Sequence, residues 1–202
     1  MANNIKSESG KYSFNVVYRK KDLGNIKLNV YGKHNIYNAI GVVAVCKEIF
    51  KLNIDEINKG LNSFKGVKRR FESLGEFYSN NIIADYCHHP TEIESTFLLS
   101  DELFKDYIVI FEPHTYSRTR ILFDDFVKVL KNKNLIIYKT FSAREKFDSL
   151  GSAKRLSESL KGSKYFEDFN ELILYVKNLK NKNILVLGAG ELYDKFKKEI
   201  KS

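Results

Sequence analysis

The strongest constraint on the fold is a regular alternation of short apolar runs with amphipathic segments after residue 70. The apolar runs have the length of single strands, and the segments between them repeat apolar residues at helical spacing. This alternation is typical of a mostly parallel sheet with helices on both faces, which predicts an α/β fold. The predicted strands are 71–77, 81–85, 107–111, 134–138 and 183–187, and the predicted helices are 91–104, 118–131, 151–161, 168–179 and 190–201.

The first 65 residues follow a different pattern. Residues 12–18 and 26–30 alternate like paired strands, and residues 34–50 carry a wide apolar helical face, which predicts a well-buried helix. Asn53 and Glu56 have the spacing of a second helix start. The sequence therefore predicts a small α+β unit ahead of the larger sheet.

Composition excludes several classes of protein. The 202 residues are 43% hydrophobic and 29% charged, and no apolar run is long enough to span a membrane. The amino-terminal stretch lacks the apolar core of a signal peptide, and two cysteines cannot form a disulfide framework, so a reducing cytoplasm is expected. The net charge of +9 comes from dispersed lysines without a nucleic-acid-reading motif, and it suits anionic small substrates such as nucleotides equally well.

The turn DYCHHPTE follows the predicted strand 81–85 and brings histidines to its carboxyl end. Neighbouring side chains in an extended segment point in opposite directions, which argues against one ion bound by Cys87, His88 and His89 together. Either one histidine bonds locally while the other faces solvent, or one reaches into a cleft beside Asp85. The turn alone does not decide between these alternatives.

The turn FEPHTYSRTR follows the next strand and delivers His114, Tyr116, Arg118 and Arg120 to the same predicted edge. Arginine binds carboxylates and phosphates in a bidentate fork, so two such turns side by side predict an anion pocket. Arg118, at the start of the next helix, suits this pocket better than Arg120, which fits a solvated helix face. The later stretch LGAGELYD is a poor dinucleotide fingerprint and predicts only a tight strand-to-helix turn.

Six segments, taken in order, resemble the C-terminal part of the Mur ligases, and most closely the alanine-adding members. These segments are GKHNIYNAIGVVAV, FKGVKRRFE, ADYCHHPTEIEST, FEPHTYSRT, FSAREKF and LGAGE. The resemblance implies an ATP-dependent ligase of peptidoglycan synthesis that uses Mg²⁺ and joins L-alanine to UDP-N-acetylmuramate through an acyl phosphate. It implies that residues 1–65 are the C-terminal portion of the central ATPase domain and that residues 66–202 are the Rossmann-like C-terminal domain.

The resemblance also assigns roles to individual residues. His34 and Asn38 would face the adenine or ribose, Arg70 the phosphates, and Asp85 the ribose hydroxyls. Tyr86, His88, His114 and Arg118 would line the site for alanine and the reacting carboxylate, with Arg70 and His88 as the catalytic groups. His89 is expected to be structural, and no metal ligand is expected within the chain.

Some positions depart from the family pattern: Ala84, Cys87, Glu112 and Thr115. A larger departure is that no P-loop, G-x-x-x-x-G-K-[ST], occurs in the sequence. The chain is therefore expected to be a ligase fragment that is inactive alone, with the magnesium ligands elsewhere. The alternatives are a stand-alone nucleotide or amino-acid binding module, half of a split ligase, or a basic nucleic-acid binder. The sequence does not indicate the oligomeric state.

Overall fold

The computed structural model describes residues 1–201, so residue 202 of the predicted second domain lies outside the described residues. The chain divides into two compact units, with the boundary between Val67 and Lys68. Both contain strands and helices, and the predicted α/β class is confirmed. Over residues 1–201, no helix combines the length and the apolar character that crossing a membrane requires.

The first unit, as far as the structure describes it, contains an antiparallel sheet of three strands. They are β1 (Ala2–Glu8), β2 (Lys11–Tyr18) and β3 (Lys21–Tyr31), in that spatial order. The sequence did not predict β1 because its side chains are mostly exposed and show no apolar alternation. Its backbone pairing with β2 holds it at the edge of the sheet.

Two helices pack on this sheet, α1 (His34–Glu48) and α2 (Ile54–Ser63). The predicted start of α2 is confirmed, because Asn53 accepts from the Glu56 N–H at 2.9 Å and Glu56 accepts from the Asn53 N–H at 2.8 Å. The expectation that α1 is well buried is wrong. Only a narrow stripe of α1 is buried, while Val42 is 43% exposed and Ile49, just after the helix, is 68% exposed.

The second unit contains, within the described residues, a six-stranded sheet in which only the β4–β5 pair is antiparallel. This confirms the predicted, mostly parallel arrangement. The short strand β8 was missed because it has no continuous apolar run. The strands are β4 (Glu72–Phe77), β5 (Asn80–Asp85), β6 (Ile108–Phe111), β7 (Leu135–Tyr138), β8 (Lys164–Phe166) and β9 (Asn183–Leu187), in the order β4-β5-β9-β6-β7-β8.

Helices cover both faces of this sheet. Val109 and Phe111 of β6 pack into one apolar cluster and Ile108 and Ile110 into another, as expected for a strand buried on both sides. The helices are α3 (Pro90–Leu103), α4 (Tyr116–Ile121), α5 (Phe123–Leu130), α6 (Ala153–Glu158), α7 (Phe169–Asn178) and α8 (Leu192–Lys201).

Two predicted helices differ from the structure. The helix predicted over 118–131 is interrupted at Leu122, whose backbone leaves helical geometry between α4 and α5. The helix predicted over 151–161 is a 3₁₀ turn, Ser149–Gly151, followed by α6, because Ser152 is extended and its side chain caps the new helix through the Arg155 N–H.

The register of the central strands brings three loops together. Asp85 of β5 and Phe111 of β6 both pair with Leu187 of β9, which lies between them. The carboxyl ends of these strands therefore lie side by side at one edge of the sheet. The turns that follow them begin at the same level, where α/β sheets usually bind ligands.

Candidate functional site

Four of the predicted site residues form a cluster at this edge. The His88 ring centroid lies 5.3 Å from that of Tyr86 and 5.7 Å from that of His114. The guanidinium of Arg118 approaches the His114 ring, with 3.3 Å between Arg118 Nη1 and His114 Nδ1. The expectation that the two turns meet is confirmed, while the ligand-binding roles of these residues remain predictions.

The two histidine rings are held in opposite tautomers. Nδ1 of His88 lies 2.9 Å from the main-chain oxygen of Tyr86, which can only accept, so Nδ1 carries a proton and, in the neutral ring, Nε2 is the acceptor. Nδ1 of His114 faces the donor Arg118, so it accepts and Nε2 carries the proton. The cluster therefore presents one imidazole acceptor and one imidazole donor.

The surroundings of His114 favour the neutral form of its ring. Its burial lowers the pKa of the imidazole, and the positive charge of Arg118 lowers the pKa further. Arg118 also donates from Nη1 to the main-chain oxygen of His114 at 2.6 Å, which fixes the guanidinium above the loop. Arg120, two residues further on, is exposed and pairs with Asp148 at 3.0 Å, outside the cluster.

Asp85 has a structural task that the sequence did not reveal. Its Oδ2 accepts from the Phe71 N–H and its Oδ1 accepts from the Cys87 N–H, both at 2.9 Å. Burial raises the pKa of Asp85, against the lowering effect of these two bonds. The carboxylate therefore ties the basic connector before β4 to the turn after β5.

The basic connector is partly anchored rather than wholly solvated. The guanidinium carbon of Arg69 lies 4.3 Å from the Tyr193 ring centroid, and the side chain pairs with Asp194 at 2.7 Å, both on α8. Arg70 is exposed, and its guanidinium carbon lies 5.7 Å from the Tyr86 ring centroid. Arg69 lies at a similar distance from the Tyr86 ring, 5.9 Å, but it is paired with Asp194, so Arg70 is the more exposed of the two arginines that border the cluster.

The other predicted residues have clear local positions. His34 and Asn38 lie at the exposed start of α1 in the first unit, where Asn38 Nδ2 donates to Asn35 Oδ1 at 3.0 Å. His89 caps α3, since its Nδ1 accepts from the Thr91 N–H at 3.4 Å while Glu92 accepts from the His89 N–H at 3.2 Å. This is the structural role expected for His89.

Sequence reasoning missed two supporting carboxylates. Glu145 lies in the segment FSAREKF and accepts from the Thr115 hydroxyl at 2.5 Å and from the Ser117 N–H at 2.8 Å. Glu112 is 1% exposed and accepts from the N–H groups of Glu191 and Leu192, each at 3.3 Å. Two sequence features could have indicated these residues: the apolar run that precedes Glu112, and the resemblance of the segment FSAREKF, which contains Glu145, to the Mur ligases.

Burial raises the pKa of Glu112 to about 7, despite the two backbone hydrogen bonds that stabilise its anion. The carboxyl lies under the LGAGE turn, where a Cβ added at Gly188 would be 2.9 Å from Glu112 Cβ. The turn between β9 and α8 is therefore tight, as predicted, and it packs directly against the end of β6. No group of three His, Cys, Asp or Glu residues within residues 1–201 could hold a metal ion.

Comparison with protein families finds a match for most of the second unit. The family model described as Mur ligase, glutamate ligase domain, matches residues 69–192, which include the whole cluster. The chain belongs to the Mur ligase family. The resemblance predicted from the six sequence segments is thereby confirmed.

Curated Mur ligases match nearly the whole chain. The UDP-N-acetylmuramate–L-alanine ligase of Caldanaerobacter subterraneus is 38% identical over 199 residues, which cover 93% of this chain and 42% of that protein. The ligase of the same name from Aquifex aeolicus is 35% identical over 207 residues, covering 98% of this chain and 45% of that protein. The chain thus spans less than half the length of these curated relatives.

Solved Mur ligase structures share the fold. The UDP-N-acetylmuramate-alanine ligase MurC from Thermotoga maritima superposes with a TM-score of 0.76 at 24% identity, covering 99% of this chain and 44% of that one. A UDP-N-acetylmuramoylalanyl-D-glutamyl-2,6-diaminopimelate–D-alanyl-D-alanyl ligase from Acinetobacter baumannii gives 0.72 at 15% identity, covering 100% of this chain and 44% of that one.

Proposed function

We propose that this chain supplies the amino-acid site and part of the nucleotide site of a ligase that joins L-alanine to UDP-N-acetylmuramate in peptidoglycan synthesis. The observation that carries the proposal is the convergence of Arg118, His114 and His88 at the carboxyl edge of the sheet. The names of the curated relatives support the choice of substrates.

The chemistry of the cluster matches a free α-amino acid. Nε2–H of His114 and the outer nitrogens of Arg118 are donors for a carboxylate, and Arg118 adds a positive charge. In the neutral ring, Nε2 of His88 is an acceptor that can take a proton from the ammonium group, as the amine must be neutral before it attacks a carbonyl. Tyr86, packed edge-on against His88, bounds the site on one side.

The nucleotide assignment rests on the chemistry of the individual residues. Arg70 is an exposed guanidinium beside the cluster and suits phosphate oxygens. Asp85 keeps one further lone pair on each oxygen, so it can accept ribose hydroxyls while it holds Phe71 and Cys87. His34 and Asn38 are exposed donors and acceptors at the start of α1, suited to the adenine or ribose.

ATP, when bound, supplies the phosphoryl group that activates the substrate carboxylate. Within residues 1–201 no group of three His, Cys, Asp or Glu residues could hold a metal ion, and we assign no residue of this chain to Mg²⁺. The phosphates would be held by a P-loop, which these 202 residues do not contain, so we expect no turnover by the chain alone.

Alanine binding tests the proposal directly. Titration of the chain with L-alanine, followed by NMR, should shift the imidazole signals of His88 and His114. Arg118→Lys keeps the charge but removes the fork, and it should weaken binding about tenfold. Arg120→Lys is the matched control because it lies on the same helix and pairs with Asp148, so its affinity should stay within about twofold of the wild type.

Two results would count against the proposal. One is the absence of any L-alanine-dependent shift in the wild-type chain. The other is an equal loss of affinity in both arginine variants, which would locate the effect in helix α4 as a whole. D-alanine, glycine and serine, titrated in parallel, test which amino acid the site accepts.

Nucleotide binding is tested separately with a non-hydrolysable ATP analogue. Arg70→Ala should weaken binding, while Lys68→Ala, an exposed basic residue of the same connector, should have little effect. Equal losses in the two variants would indicate general attraction of a basic surface rather than a specific phosphate contact.

A further inference from the structure

The segment 141–148, named here the brace, lies along the loop that carries His114 and Arg118. At one end the Phe141 N–H donates to the Pro113 oxygen at 2.9 Å, and the Phe141 ring stacks on the His114 ring with centroids 5.3 Å apart and planes 13° apart. At the other end Asp148 pairs with Arg120. The brace therefore contacts the loop both before His114 and after Arg118, the two residues of this loop that are predicted to bind alanine.

Glu145 makes the central contacts of the brace. Its Oε1 accepts from the hydroxyls of Thr115 and Ser117, and its Oε2 accepts from the Ser117 N–H at 2.8 Å. These donors lie on both sides of Tyr116, where α4 begins. One carboxylate thus fixes the backbone at the first turn of the helix.

Helix α4 depends on this external support. It has only six residues, too few to be stable by its own hydrogen bonds. Its N-cap residue, Thr115, makes no side-chain capping bond within the described residues, because its hydroxyl is directed to Glu145 instead. The Ser117 N–H, one of the donors that a helix start leaves unpaired, is satisfied by Glu145.

Arg118 follows Ser117 on this turn and reaches back to the main-chain oxygen of His114. The direction of its guanidinium depends on where α4 begins relative to the His114 loop. Glu145 sets that relation although it touches neither Arg118 Nη1 nor the His114 ring nitrogens in any described hydrogen bond.

We infer that Glu145 is a positioning residue that holds Arg118 and His114 in the geometry required to bind the carboxylate of an amino acid. This inference rests on the proposed function for its ligand. The positioning itself is a property of the ligand-free chain.

The direction in which the pKa of His114 changes when Glu145 is removed distinguishes positioning by Glu145 from a simple effect of its charge. Burial lowers the pKa of His114 and the positive charge of Arg118 lowers it further, while the negative charge of Glu145 raises it. If Glu145 acted only through its charge, removing it would lower the pKa further. If it positions Arg118, removing it releases the guanidinium and opens the site, which raises the pKa.

The experiment follows the His114 imidazole by NMR over a pH titration, with the signal assigned by a His114→Gln variant. In Glu145→Ala the midpoint should move up, and L-alanine binding should weaken about tenfold. In Glu145→Asp the charge stays but the side chain is one methylene shorter, and the midpoint should also move up. Asp148→Asn, which removes the charge that pairs with Arg120 but keeps an Oδ1 acceptor for the Leu150 N–H, is the control and should leave the midpoint unchanged.

A midpoint that falls or stays constant in Glu145→Ala would overturn the inference. If that variant does not fold, Glu145→Asp decides by the same criterion. If the wild-type chain shows no binding of L-alanine, the proposed function fails, while the His114 midpoints still decide whether Glu145 positions Arg118.

Discussion

The backbone N–H of Phe71 donates to Asp85 across the turn that leads into β4, at 2.9 Å. The same carboxylate accepts from the N–H of Cys87, so one side chain orders the connector that carries Arg70 and the turn that carries His88. The residue predicted to bind ribose is therefore also part of the scaffold of the site.

Replacing Asp85 by Asn should loosen one of the two turns. An amide offers one acceptor oxygen, so one of the two N–H groups loses its partner, at a cost of about 1–2 kcal/mol in the free energy of unfolding. Hydrogen exchange should accelerate at the Phe71 or Cys87 amide. Asp101 is an exposed carboxylate that is hydrogen-bonded to Tyr107 and Lys133, and Asp101→Asn is the control variant. Unchanged hydrogen exchange at both the Phe71 and the Cys87 amide in Asp85→Asn would contradict the prediction.

Glu112 should make the stability of the second unit depend on pH. Its folded pKa of about 7 lies above its ordinary value of 4.5, so the folded state binds more protons between these pH values. The stability contributed by the protonated carboxyl is present below pH 4.5 and is lost as the pH rises through 7. The loss amounts to about 3 kcal/mol, because each pKa unit corresponds to about 1.4 kcal/mol.

Glu112→Gln should remove this dependence because the amide remains neutral. In urea unfolding, the stability of the variant relative to the wild type should increase by roughly 2–3 kcal/mol between pH 4.5 and pH 8. Glu94→Gln, at an exposed position on α3, should show no such change. Parallel pH profiles for Glu112→Gln and the wild type would refute the buried-acid explanation.

Gly190 should tolerate no side chain. A Cβ at this position would collide with the Glu112 carboxyl and lie 2.7 Å from Phe141 Cβ, so Gly190→Ala should cost about 1–3 kcal/mol in unfolding free energy. Gly41, in α1, has no atom within 4 Å of an added Cβ. Gly41→Ala should instead stabilise its helix by about 0.5–1 kcal/mol, and similar melting shifts for the two variants would contradict the packing argument.

The two cysteines should differ in reactivity. Cys87 is 1% exposed, and burial raises the pKa of its thiol well above the ordinary value, so little reactive thiolate forms. Cys46 is partly exposed. Iodoacetamide at neutral pH should label Cys46 in the native chain and Cys87 only after unfolding, as measured by peptide mass spectrometry; equal native labelling would show that the turn after β5 opens readily.

The sequence predicted the elements whose side chains carry a burial pattern. Strands β5, β6 and β9 are buried on both faces and appear as apolar runs, and parallel strands necessarily end at one edge. The convergence of His88 with His114 follows from those two facts. By contrast, β1 is held by backbone pairing, which leaves almost no mark on side-chain composition.

The supporting residues could not be predicted from local patterns. Glu145 acts on Thr115, thirty positions earlier in the chain, and Glu112 acts on Leu192, eighty positions later. Neither spacing corresponds to a helix or a strand period. The interruption of the predicted 118–131 helix at Leu122 was missed for a related reason, since no proline or glycine marks it.

The strand order has a consequence for biosynthesis. Strand β9 is translated after β5 and β6, yet it is inserted between them. While residues 183–187 are still inside the ribosome, β5 and β6 lack their shared neighbour and each exposes an unpaired edge, which is a template for aggregation. The nascent chain should therefore need chaperone protection until β9 leaves the exit tunnel. Ribosome stalling before that point would leave an incomplete, aggregation-prone sheet.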